Sequence, residues 1–304
     1  MEYILTTNAL CKNYKRFRAL DELSMHVPKG AIYGFVGKNG AGKTTLIRLI
    51  CGLQKPTSGT YTLYGTKHTA SGISKARRRM GAVVESPSIY LDMTARENLE
   101  EQYRILGLPS FDGLEELLEL VGLSNTGKKK AKNFSLGMRQ RLGIAIALAG
   151  DSDFLVLDEP VNGLDPQGII EMRELILKLN RERRITVLIS SHILDELSKL
   201  ATHYGFIDRG HMVKEVSAKE LEEAGRKCIR VEVSDSKALA RTLDRMKIEY
   251  KIISENEADL YAKINVSELA LALANEQCEI LTMQERDESL ESYYMNLIGG
   301  GKDE

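Results

Sequence analysis

The chain has 304 residues, 43% of them hydrophobic and 28% charged, enough for one large domain and a smaller one. A formal net charge of -1 provides no global field to draw in nucleic acid or anionic lipid, so affinity for either would have to come from a local patch, and no nucleic-acid partner is expected. Cys11, Cys51, Cys228 and Cys278 are scattered and form no CxxC pair. They read as reduced thiols of a cytoplasmic protein, which excludes a disulfide or zinc framework.

The opening "MEYILTTNALCKNYK" lacks a charged start followed by an apolar core, so no signal peptide is read. "GAIYGFVG" is expected to be a strand that runs into the glycine loop "GKNGAGKTT". "GKTTLIRLICG" then opens a helix with Leu46, Leu49 and Ile50 on one face. Between about 87 and 150 three helical stretches, "TARENLEEQYRILG", "FDGLEELLELVG" and "SLGMRQRLGIAIALAG", follow without a strand and read as an inserted helical subdomain. The apolar run "LGIAIALAG" is under half of the roughly 20 residues that a membrane-spanning helix needs.

"DFLVLDEP" and "ITVLISSH" are continuous apolar strands of the kind buried on both faces of a parallel sheet. "PQGIIEMRELILKLNRE" between them is a crossover helix with proline in its first turn. The larger domain, 1–225, is therefore an α/β sheet of βαβ units. In 226–304 the order changes to a strand over "CIRVEVS", a helix over "KALARTLDRMK" and strands near "YKIIS" and "LYAKI". A helix over "VSELALALANE" and a strand near "CEILTM" follow. That βαββαβ order is the split-βαβ, ferredoxin-like arrangement. A last helix over "DESLESYYMNLI" and a "GGGKDE" tail close the chain.

Gly37-x4-Gly42-Lys43-Thr44 fits the P-loop pattern in the strand–loop–helix setting that its mechanism requires. From Gly37 through Asn39, Gly40, Ala41 and Gly42 to Lys43, Thr44 and Thr45, this loop is expected to hold a nucleoside triphosphate with Mg²⁺. The backbone N–H groups and the helix start receive phosphate oxygens, Lys43 bridges the β- and γ-phosphates, and Thr44 ligates the metal. "FLVLDEP" places Asp158 at a strand end, where it can hold Mg²⁺. It sets Glu159 one residue further on, where it can take the proton of an attacking water.

With "FSLGMRQRLGIAIAL" between those two motifs, residues 3–220 resemble the ATP-binding subunit of ABC transporters. "FSLGM" stands where that family has LSGGQ, with Leu136 replacing a glycine and Met138 a glutamine. The resemblance implies a head-to-tail dimer of two copies, in which Ser135 and Gly137 reach the γ-phosphate bound by the other copy. Ser135 also suits an N-cap of its own helix. By the same resemblance Tyr14 stacks on adenine, Asp165 in "NGLDP" crosses the dimer interface, and His192 is the switch histidine that works with Glu159 in catalysis.

"GAVVESP" occupies the family's Q-loop with Glu85 in place of glutamine. A charged oxygen beside a triphosphate is acceptable only if Mg²⁺ lies close enough to offset it, so Glu85 is expected to ligate the metal directly or through water and to link the site to the membrane partner. The bland alternative is a solvent-facing loop carboxylate. Glu85, "FSLGM" and "DESLESYYMNL" together resemble the bacitracin-resistance and lantibiotic-immunity exporter branch. That resemblance implies a separate transmembrane permease and a peripheral position on the cytoplasmic face of the membrane. It also implies ATP hydrolysis coupled to export of a peptide antibiotic or lipophilic compound. The rivals are a soluble ABC ATPase and an ATP-gated regulatory module without turnover.

Overall fold

The computed structural model describes residues 2–224, 228–261, 264–286 and 290–299. They divide into two units, Met1–Ala218 and Lys219–Glu304. The division falls a few residues before the boundary expected from the change of pattern near 225, and residues 225–227 lie outside the described ones.

The first unit runs β1 (Tyr3–Tyr14), β2 (Phe17–Pro28), β3 (Ile32–Val36), α1 (Lys43–Ile50), β4 (Ser58–Leu63), β5 (Thr66–Lys67), α2 (Ile73–Arg77) and β6 (Met80–Val83). It continues with α3 (Ala95–Leu106), α4 (Leu114–Leu120), α5 (Leu136–Leu148), β7 (Phe154–Asp158), α6 (Pro166–Arg183), β8 (Thr186–Ser191), α7 (Leu194–Ser198), β9 (His203–Asp208) and β10 (His211–Ser217). Six strands form one sheet in the order β10-β9-β3-β8-β7-β6. All neighbours in it are parallel except the edge pair β10 and β9. Every residue of β3, β7 and β8 is buried, which is why these strands read as unbroken apolar runs. β8 lies between β3 and β7, so the glycine loop and Asp158 leave the same carboxyl edge of the sheet. That edge is where such sheets bind ligands.

A second sheet, antiparallel and ordered β2-β1-β4-β5, departs from the simple βαβ reading. β1 and β2 are joined by a tight hairpin at Tyr14 and Phe17, leaving no room for a crossover helix. One core joins the two sheets through α1, with Leu23 and Met25 of β2, Leu46 and Ile50 of α1, and Phe35 and Phe154 of the parallel sheet in the same cluster.

α3, α4 and α5 follow β6 with no strand between them. Thr94 and Glu97 form a capping box at the start of α3. At the start of α5 the Ser135 hydroxyl accepts the Met138 N–H at 3.2 Å. α5 rests directly on the sheet backbone, since a Cβ on Gly81 of β6 would lie 2.2 Å from the Ala147 carbonyl oxygen.

Past α8 (Ala218–Ala224), the second unit runs β11 (Cys228–Val233), α9 (Ser236–Met246), β12 (Tyr250–Ile252), β13 (Glu257–Leu260), α10 (Val266–Ala274), β14 (Ile280–Arg286) and α11 (Leu290–Gly299). Its antiparallel sheet has the order β12-β13-β11-β14, which is the split-βαβ topology. Val231 and Val233 share a core with Leu239, Leu243, Leu269 and Leu273 from the two helices. The strand expected near "LYAKI" lies earlier, because the N–H groups of Ile253 and Ser254 both reach the Glu257 carbonyl and start β13 at that residue. Residues 262 and 263 of that stretch, and the tail beyond Gly299, lie outside the described residues. Among the described residues no helix is long and apolar enough to cross a membrane.

Candidate active site

The glycine loop is shaped to leave backbone donors unclaimed. Gly42, with φ +112°, is the N-cap of α1, and a Cβ there would sit 2.6 Å from the Ala19 carbonyl oxygen. Both facts require glycine. The N–H groups of Asn39, Gly40, Gly42 and Thr44 make no hydrogen bond to another residue among those described. Free donors at a helix start form an anion site. Asn39, Gly40, Gly42, Lys43, Thr44 and Thr45 line a cavity of about 270 Å³, which Phe17, Ala19 and Glu159 complete. Gly37 and Ala41 do not line it, and their N–H groups are spent on the carbonyls of Ser191 (3.5 Å) and Lys38 (3.1 Å).

Lys43 is 6% exposed, and its Nζ donates to the carbonyls of Gly37 at 2.6 Å and Lys38 at 3.3 Å. The same Nζ stands 3.2 Å from Glu159 Oε1, while Glu159 Oε2 lies 2.8 Å from His192 Nδ1. The Glu159 carboxylate is thus held on both oxygens by the two groups that the sequence assigns to nucleotide binding and catalysis. Its backbone has φ +51°, a conformation unfavourable for a residue with a Cβ. The Glu159 N–H secures it by reaching both the carbonyl of Ser190 at 3.2 Å and the Ser190 hydroxyl at 3.0 Å. Asp158, 3% exposed at the end of β7, accepts the Ser190 hydroxyl at 2.5 Å. Ser191 in turn accepts the Ile193 N–H at 2.9 Å, a turn that sets His192 off the end of β8.

Other expected site residues lie elsewhere. Tyr14 does not line the cavity: its hydroxyl donates to Gln54, and the Lys12 ammonium stands 5.1 Å from its ring centroid. The aromatic on the cavity wall is Phe17, 61% exposed, which sequence reasoning passed over although it stands in the same "CKNYKRFRAL" stretch.

Glu85, with φ +62°, pairs with Arg48 and lines a separate cavity of about 370 Å³ beside Cys51, Leu53 and Val84. Arg48 offsets its charge, so Mg²⁺ is not the only cation able to do so. Burial pushes the Cys51 thiol up to about 12, with nearby Asp158 adding to the shift against Arg77, so it stays protonated. Cys11 and Cys278 are likewise free thiols, and the side chain of Cys228 lies outside the described residues.

Ser135 and Gly137 begin α5, and Asp165 caps α6 by accepting the Gly168 N–H at 3.1 Å. Leu136 is 44% exposed and lies beside Gly163, so these two loops adjoin. None of the three lines the cavity of its own chain.

The model of the ABC transporter family matches residues 20–162. The bacitracin transport ATP-binding protein BcrA of Bacillus licheniformis is 41% identical over 304 residues, 99% of each chain. The chain belongs to the ABC transporter family, as one of its ATP-binding subunits. The lantibiotic transport ATP-binding protein SrtF of Streptococcus pyogenes is 41% identical over 212 residues, 70% of this ABC subunit and 90% of SrtF. The dimeric bacterial ABC transporter cassette MJ0796 superposes with a TM-score of 0.63 at 25% identity, over 70% of this chain and 98% of that one. As an ABC subunit the protein binds and hydrolyses ATP.

Proposed function

We propose that this ABC subunit energises export of a peptide antibiotic or lipophilic compound through a separate permease, from the cytoplasmic face of the membrane. The observation that carries the catalytic part is the Glu159 carboxylate, set between Lys43 and His192 on the wall of the loop cavity. When ATP enters, its phosphates take the unclaimed loop N–H groups and the Lys43 ammonium. Glu159 Oε1 is then released to accept the proton of an attacking water, while His192 keeps Oε2 oriented. Relatives whose names link them to bacitracin and lantibiotic transport support the cargo class. The dimeric cassette supports pairing of two copies, with Ser135, Gly137 and Asp165 of each serving the other's nucleotide. Cells given the chain together with its permease are expected to survive such a peptide, and cells given the Glu159→Gln chain are not. Equal survival would overturn the exporter reading.

The donor set suits Mg²⁺: the Thr44 hydroxyl on the cavity wall and the buried Asp158 carboxylate are hard oxygen ligands. Among the described residues no group of three His, Cys, Asp or Glu is gathered for a metal, as fits an ion carried in on nucleotide phosphates. Thr44 and Asp158 would hold it, joined by Glu85 once that carboxylate leaves Arg48, and when bound it supplies positive charge to the phosphates. Because Glu85 is 58% exposed, Glu85→Gln is expected to cost under about 1 kcal/mol of stability through loss of the Arg48 pair. It is expected to raise the Mg²⁺ needed for half-maximal ATPase several-fold. An unchanged Mg²⁺ titration would confine Glu85 to its partnership with Arg48.

We further propose Phe17 as the platform for the base, in place of Tyr14. Phe17→Ala is expected to weaken ATP binding by about 5- to 50-fold, the worth of one stacked base, whereas Tyr14→Ala stays within about twofold. Equilibrium titration of both variants decides, and the reverse ranking would return the role to Tyr14.

A further inference from the structure

The Ser190 hydroxyl, near the end of β8, has no part in the mechanism above. Ser190 is fully buried, at 0% exposure, and pairs in register with Asp158 across the parallel strands β7 and β8. An apolar residue would fill such a position without needing a partner, whereas a buried hydroxyl is costly unless it is bonded. Here the single hydroxyl makes two bonds, and both end on the active site. It donates to Asp158 Oδ1 at 2.5 Å and accepts the Glu159 N–H at 3.0 Å.

The geometry points to Ser190 as a positioning residue that fixes the Asp158 carboxylate for Mg²⁺ and ties it to the backbone of the general base. Asp158 is 3% exposed, and among the described residues Ser190 provides the side-chain hydrogen bond to its carboxylate. That bond takes one lone pair of Oδ1 and locks the rotamer, leaving Oδ2 as the oxygen free to face a cation. The Glu159 N–H keeps a second acceptor in the Ser190 carbonyl at 3.2 Å, so loss of the hydroxyl leaves the strand ends paired. The effect of removing it therefore falls on Asp158. This inference rests on Asp158 acting at the metal.

The test uses the full chain and a fluorescent ATP analogue, titrated with and without Mg²⁺. Ser190→Ala is expected to bind the analogue in EDTA as the parent does and to need roughly tenfold more Mg²⁺ for half of the metal-dependent gain. In an Asp158→Asn background the same substitution is expected to change the Mg²⁺ requirement by less than about twofold, because the two groups act as one unit. A Ser190→Ala chain that melts at a lower temperature yet keeps the parent's Mg²⁺ titration would reduce the hydroxyl to a structural role and overturn the inference. So would an equal increase in both backgrounds. A parent whose nucleotide binding ignores Mg²⁺ would sink the metal reading along with it, whereas failure confined to Ser190→Ala leaves that reading standing.

Discussion

Replacing Glu159 by glutamine is expected to lower ATP turnover by about 10²- to 10⁴-fold, the usual worth of a positioned general base. The amide has nearly the same shape and keeps a partner for His192, whose Nδ1 lies 2.8 Å from Oε2. It cannot take a proton from water. It also removes the charge that Lys43 meets at 3.2 Å, so the ammonium is freer to turn to phosphate. Nucleotide binding should therefore hold or tighten while hydrolysis stops. Phosphate release and equilibrium binding measured on the same preparation check this. Turnover within tenfold of the parent would move the base to another residue.

Lys43→Ala is expected to act in the opposite way, reducing ATP affinity by about 100-fold or more. Each charge-assisted hydrogen bond is worth about 1.5–3 kcal/mol, and the ammonium can make two to adjacent phosphates. The loop itself is expected to survive, because its shape comes from Gly42 and from the buried apolar face of α1. Calorimetric titration of the two variants side by side should separate them: one binds without turning over, and the other does not bind. Near-parental affinity in Lys43→Ala would place the phosphates away from this cavity.

The two variants probe features that differ in how openly the sequence declares them. Gly37, Gly42, Lys43 and Thr44 form a local pattern, readable because a turn that needs positive φ and free N–H groups admits few residues. β7 and β8 are readable because strands covered on both faces must be apolar throughout. α3 of the insert is equally plain, with its apolar residues on one face, and the βαββαβ order of the second unit follows from alternation and spacing. The second sheet escaped this reading, since β1 and β2 carry apolar residues in broken alternation across several register shifts.

The placement of Tyr14, Phe17 and Glu85 was decided by partners distant in the chain. Gln54 holds Tyr14, Phe17 is left on the cavity wall, and Arg48 takes up Glu85. Ser190 meets Asp158 only because β8 is inserted beside β7 in the sheet. The sequence by itself determined what is bound, because phosphate chemistry demands a short, contiguous run of donors. Only the tertiary structure decided which side chains attend that site, because strand order and hairpin register bring together residues that no spacing rule connects.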